Sequence, residues 1–396
     1  MAAQSGALRK TTRKDGLVII TKHLPDTKRF RISIGAKVGS AYDPPDKDGL
    51  HHFFEHMAFK GTKNRSGLEL RALMNRYSHH HNAYTARLET VYQLEGISRH
   101  RDIICDLAFD IYQNSIFPVD ELIKEKEVVE NEITRDHDQN DYVVDFELWK
   151  LLWQKNPLRK FGVGTYEGIQ CVSRDDLLNV HSQSYKPHNT FIVASGDVDH
   201  DILVTRIKSW IPLDDQAPGP SNVCTWDDEW QVPPVQKEHV LLKPGAKNAH
   251  VAVGLKIPNR NSFTEREGLV LIVLVNMLNE MLFQEVREKR GYAYTIGAGL
   301  GGDFELGHYL QFSGEMLPNR VHEVRSVMHE VIHELPLGPV SFSDNRESLR
   351  DKLPNNGITL LLNKISSVER TLRMSVVSSP EKMRCWPNSH LKKYQK

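Results

Sequence analysis

Phe30, Ile32, Ile34, Ala36 and Val38 alternate with polar or small residues, the period of a half-buried strand. A polar, breaker-rich stretch over 43–49 follows, and Leu50, Phe53, Phe54 and Met57 then fall at helical spacing. The order is strand, loop, helix. It returns further on, where Val251, Val253, Leu255 and Ile257 alternate, residues 259–268 break the pattern, and a helix is expected from Leu269. Gly35 matches Gly254 and Gly49 matches Gly268, both at an offset of 219. A repeat this long means two similar domains rather than a stack of short units. The proline- and acid-rich stretch from Asp214 to Pro234 predicts a linker, so the domains are expected over 1–215 and 237–396, joined by 216–236. Helical patterns run from Val119 to about Gln154 in the first copy and from Arg320 to Glu334 in the second. The fold class is α+β, with two homologous domains, each a mainly antiparallel sheet carrying helices on one face.

Charge and composition narrow the partners. Lys+Arg and Asp+Glu are each 51 in 396 residues, so no generalised basic surface is expected and no nucleic-acid partner. The longest apolar run, Leu269 to Val275, falls short of the roughly 18 residues of a membrane span, and none is expected. Cys105, Cys171, Cys224 and Cys385 lie far apart with no CxxC pair, which points away from a disulfide framework and toward a reducing, cytoplasmic setting. Arg9, Lys10, Arg13 and Lys14, ahead of a first strand expected near Leu17, keep the mitochondrial matrix as the alternative. The outlying number is 19 histidines, which makes any histidine motif easier to meet by chance.

Three clusters compete. In His52-Phe-Phe-Glu-His56 two imidazoles stand four apart on one helix face with Glu55 beside them, and Phe53, Phe54 and Met57 form the adjoining apolar stripe. Such a pair suits zinc, with one further protein ligand, and Glu55 is placed to act as a general base. His329-Glu-Val-Ile-His333 has the HExxH spacing, but Val321, Val324, Val327, Met328, Val331 and Ile332 make the buried stripe of that helix and leave the histidines on its wet face. His79-His80-His81 reads as strand, where neighbours point to opposite sides. The repeat favours the first cluster: adding 219 to His52, Glu55 and His56 gives Leu271, Leu274 and Val275, so one copy bears the polar site and the other is filled in.

The run from His52 to Thr62, followed by Asn82-Ala-Tyr-Thr85, resembles the inverted-zincin peptidases of the pitrilysin and insulinase family, in particular the branch containing the mitochondrial processing peptidase beta subunit. The resemblance implies a zinc endopeptidase with one Zn2+ per chain, held by His52, His56 and a glutamate 76 residues beyond the second histidine, which is Glu132. By residue type alone Glu132 stands level with Glu127 and Glu130. Glu125 matches the family's acid that orients a ligand, and Arg287 and Tyr294 match the pair that hydrogen-bonds substrate carbonyls. Asn82, Ala83 and Tyr84 resemble the edge strand on which an extended peptide lies. In two-domain chains of this family the opposing half comes from a second subunit, so a homodimer, or a heterodimer with a paralogue, is implied.

Two features depart from the family. Tyr142 and Phe146 stand where acids are expected to receive a substrate arginine. His390 to Tyr394 is similar to His181 to Tyr185, after which the first copy continues into Thr190 to Ala194, whereas here the chain ends. The second copy is therefore expected to be shortened at its C-terminus, without its closing strand. That favours an alternative, a non-catalytic scaffold or core subunit of a larger complex with the same fold; an intact ligand set opposes it.

Overall fold

The computed structural model describes residues 6, 8–214, 229, 232 and 238–334 except 244, 260, 261 and 304, together with the backbone of 373–378. The chain forms two units, Met1–Arg135 with Lys160–Thr225 and Asp136–Arg159 with Trp226–Lys396.

The first unit is built on six strands: β1 (Leu8–Thr12), β2 (Val18–His23), β3 (Arg29–Ala36), β4 (Ser78–Thr85), β5 (Thr90–Ile97) and β6 (Thr190–Gly196). Their order is β1-β2-β6-β3-β5-β4, with β2 and β6 parallel and every other pair antiparallel. Strand β4 thus forms one edge. Phe30, Ile32 and Ile34 of β3 are buried as their alternation predicts, against Phe53, Phe54 and Met57 of α1 (Leu50–Ala58). Helices α2 (Gly67–Tyr77), α3 (Arg101–Asn114) and α4 (Val119–Asp138) follow. Two of the cations expected ahead of the sheet, Arg9 and Lys10, lie in β1, which pairs with β2, and Arg13 and Lys14 lie in the turn between them; Arg9 bonds Asp201 and Arg13 bonds Asp15.

The helical pattern from Val119 breaks at Gln139, whose ψ is 115°, into α4 and α5 (Asn140–Leu152). The interruption is the polar run Asp138-Gln-Asn-Asp141, side chains that compete for backbone hydrogen bonds. Helix α5 packs on the second sheet. Its Leu148 and Leu152 lie so close over Gly254 that a Cβ there would meet them at 2.9–3.0 Å, and Asp145 and Glu147 bond Gln311 and His239. The first domain predicted over 1–215 is therefore interrupted, because 136–159 buries its leucines in the other unit. Three more helices, α6 (Tyr166–Cys171), α7 (Arg174–Ser184) and α8 (His200–Trp210), belong to the first unit.

The second unit repeats the plan with β7 (Glu238–Leu242), β8 (Ala249–Ile257), β9 (Ala293–Asp303), β10 (Gly307–Met316) and β11 (Arg373–Ser378), ordered β7-β11-β8-β10-β9. Strand β11 runs parallel to β7 and antiparallel to β8, as β6 does to β2 and β3. The expectation of a copy without its closing strand is thereby corrected. The backbone groups between β7 and β8 need a partner, and a segment upstream of the one sought supplies it; His390 to Tyr394 lie outside the described residues. Helix α9 (Glu265–Leu282) starts one turn earlier than Leu269, set by a Thr264–Glu267 capping box. With its continuation to Glu288 it reaches a mean hydropathy of 1.6 over a length that would cross a membrane; here Val270, Leu271, Leu274, Leu278 and Leu282 are buried in the unit's core. The apolar stripe of α10 (Val321–Glu334) is buried in the same core.

Candidate metal centre

Helix α1 is pinned at its start. Gly49 has φ +99°, and Asp43, itself buried, accepts the backbone N–H groups of Gly49 (2.8 Å) and His51 (3.0 Å) and bonds the His51 ring Nδ1 (2.6 Å). The Asp43 carboxylate thus does what a capping side chain does elsewhere. One turn apart on this helix, the His52 and His56 rings lie 4.7 Å apart between centroids. Glu132 reaches them from α4: its Oε2 is 3.7 Å from His52 Nε2 and 3.4 Å from His56 Nε2. Ligands about 2.1 Å from a tetrahedral zinc stand about 3.4 Å from one another, so the spacing suits that ion. Glu132 Oε2 is buried and has no hydrogen-bond donor, an orphan that a cation would satisfy. Among the described residues this is the one group of three or more His, Cys, Asp or Glu side chains converging in this way.

The ligands are themselves held. His56 Nδ1 donates to Glu125 Oε1 (2.9 Å), which fixes the tautomer with Nε2 turned to Glu132, and Lys60 Nζ pairs with the other oxygen of Glu125. Desolvation pulls His56 down, but its bond to Glu125 and the nearby carboxylate of Glu132 outweigh it and leave it near 9. His52 is pushed down to about 4 by burial and by His56 beside it. Glu132 is held near 2, chiefly by His56, against its own desolvation. Glu55, on the same helix, is raised by burial, opposed by a hydrogen bond from Thr85 Oγ1 to its Oε2 (2.7 Å). A buried carboxyl whose proton affinity is raised suits a general base.

Thr85 closes β4, the edge strand predicted to receive a peptide. Asn82 and Tyr84 are exposed on it, while Ala83 and Thr85 are half-buried. Within the second unit, Arg287 lies on a wider helical turn over Phe283–Glu288, its guanidinium 5.4 Å from the Tyr294 ring centroid, with both side chains exposed. Sequence spacing placed these two seven apart; the turn and Gly291 at φ +60° bring them together.

Residues 18–165 match the family model described as Insulinase (Peptidase family M16), and residues 172–343 match that of the Peptidase M16 inactive domain. The chain belongs to the M16 peptidase family. An uncharacterized zinc protease of Rickettsia bellii is 29% identical over 298 residues, 74% of this chain and 70% of its own length. One from Mycobacterium leprae is 29% identical over 337 residues, 84% of this chain and 74% of its own. In fold, the chain is similar to a protease from Helicobacter pylori, with a TM-score of 0.76 at 20% identity over 94% of this chain and 100% of that one. It is also similar in fold to a peptidase M16 inactive domain from Pseudomonas fluorescens, with a TM-score of 0.78 at 14% identity over 94% of this chain and 98% of that one.

The M16 inactive domain match, over residues 172–343, begins in the first unit and takes in the copy that lacks the ligands. Leu271 and Leu274, which replace His52 and Glu55, are buried in its core, and Val275 packs against them. The other histidine clusters form no such group among the described residues: His79 bonds Glu95, His81 bonds Ser78, and His322 is exposed on α10. The side chain of His333 lies outside the described residues. Glu127 is exposed and Glu130 pairs with Gln170, so the choice of Glu132 among its neighbours rests on direction along α4. Sequence reading gave no role to Asp43, His51 or Lys60, and met Thr85 only as the end of the edge-strand motif. Each acts through a partner at least five residues away, which no local period reports.

Proposed function

We propose that this M16 chain is a zinc-dependent endopeptidase acting on extended peptides, presequence-like segments among them. The observation that carries the reading is the convergence of His52, His56 and Glu132 beside a buried Glu55. Zinc, when bound, supplies a Lewis acid for the scissile carbonyl and makes water more acidic. The peptide backbone pairs with the edge strand at Asn82, Ala83 and Tyr84, which grips substrates with little regard to side chain. Glu55 takes the proton from the attacking water and returns it to the leaving amine. Arg287 and Tyr294 offer a cation and a phenol to the developing oxyanion; we assign that contribution to a dimer, of two such chains or of this chain with a paralogue. Tyr142 and Phe146 in place of acids favour a broad peptide range over arginine-directed cleavage. The scaffold alternative loses its main support once β11 fills the second sheet.

The test compares wild type with Glu55→Gln for zinc content and cleavage of a basic peptide pool. Wild type is expected to hold one zinc per chain and to cut, and the variant to keep the zinc while losing about 100-fold or more in rate. A wild-type protein that binds no zinc and cuts nothing overturns the peptidase reading. A fully active Glu55→Gln removes Glu55 from its role.

A further inference from the structure

We infer that Thr85 is the positioning residue for the base, tying Glu55 to the strand that receives the peptide. This rests on the proposed peptidase reading. Thr85 Oγ1 lies 2.7 Å from Glu55 Oε2 and 3.5 Å from the His51 carbonyl, so its single hydrogen goes to the carboxylate. The glutamate stem turns about several bonds, and the residue is only 9% exposed, so little water is at hand to hold its carboxyl otherwise. Pinning one oxygen leaves the other as the proton acceptor. Thr85 is also the last residue of β4 and pairs with Thr90 on β5, so its own place is set by the sheet. Asn82, Ala83 and Tyr84 immediately precede it. A peptide added along this edge and the base that takes the proton from the attacking water are therefore registered by the same short piece of backbone. Misplacing a reacting group by about 1 Å costs on the order of 100-fold, which is the scale such a tether guards.

Thr85→Val keeps the shape and removes the hydroxyl; Thr85→Ser keeps the hydroxyl. The valine variant is expected to retain zinc and the wild-type KM for an extended peptide while kcat falls about 10-fold or more, and serine is expected to recover most of the loss. In a Glu55→Gln background, Thr85→Val is expected to cost nothing further, because the two act as one unit. The inference is overturned if the valine variant keeps kcat within about twofold of wild type, loses zinc, or raises KM alone, or if serine and valine are equally impaired. Should Glu55→Gln itself stay active, the base assignment fails first, and the two failures are told apart.

Discussion

His56 takes its orientation from Glu125, 2.9 Å from Nδ1, and Glu125 is in turn paired with Lys60, all three largely buried. A ligand imidazole free to rotate would spend part of its time with the wrong nitrogen toward the ion. Glu125→Gln removes the charge that fixes the Nδ1–H, and zinc is expected to bind about 10- to 100-fold more weakly, read by competition with a chromophoric chelator. At this scale the two histidines were legible because an i, i+4 pair is a local statement about one helix face. Glu132 was not, since three glutamates on one helix are equivalent until a second helix supplies direction. Thr85 and Asp43 were silent for a similar reason: a threonine that ends a strand and an aspartate that opens a proline loop have ordinary local explanations.

Helix α1 aims the cluster, and its aim depends on Gly49. With φ at +99° and the position of a Cβ 2.8 Å from Gly164 Cα, any side chain there is strained and also collides with backbone. Gly49→Ala is expected to lower stability by at least about 1–2 kcal/mol, the left-handed cost alone, measured as a shift in denaturant midpoint, with zinc affinity falling as the start of the helix shifts. The matching glycine, Gly268, lies inside α9 instead of at its cap, so an alignment of glycines does not carry over their duties. The strand periods over 30–34 and 251–257, and the helices that follow them, were legible. The break at Gln139 and the strand at Arg373–Ser378 were not, because a helix end and a closing strand are both chosen by what packs or pairs with them.

Two units share one plan, and among the described residues only the first brings such ligands together, so metal should act on them unequally. An ion that binds the folded unit alone adds stability by mass action, about 2.7 kcal/mol at a hundredfold excess over its Kd. Stripping zinc with a chelator is therefore expected to lower the calorimetric transition of the unit holding His52, His56 and Glu132 and to leave the other unchanged; equal shifts would place metal in both. Chain order alone does not delimit these units, since 136–159 leaves the first to cover the second sheet.

By itself, the sequence determined what repeats and what alternates: two α+β copies, a helix presenting His52 and His56, and a second copy whose matching positions are aliphatic. The tertiary structure decided which glutamate completes the cluster, which hydroxyl holds the base, which unit owns α5 and which segment closes the second sheet. The division follows from range. Periodicity records how each residue meets its own helix or strand, while a metal centre or a sheet edge is made by residues that the chain brings together from dozens of positions apart, and no local pattern encodes their distance.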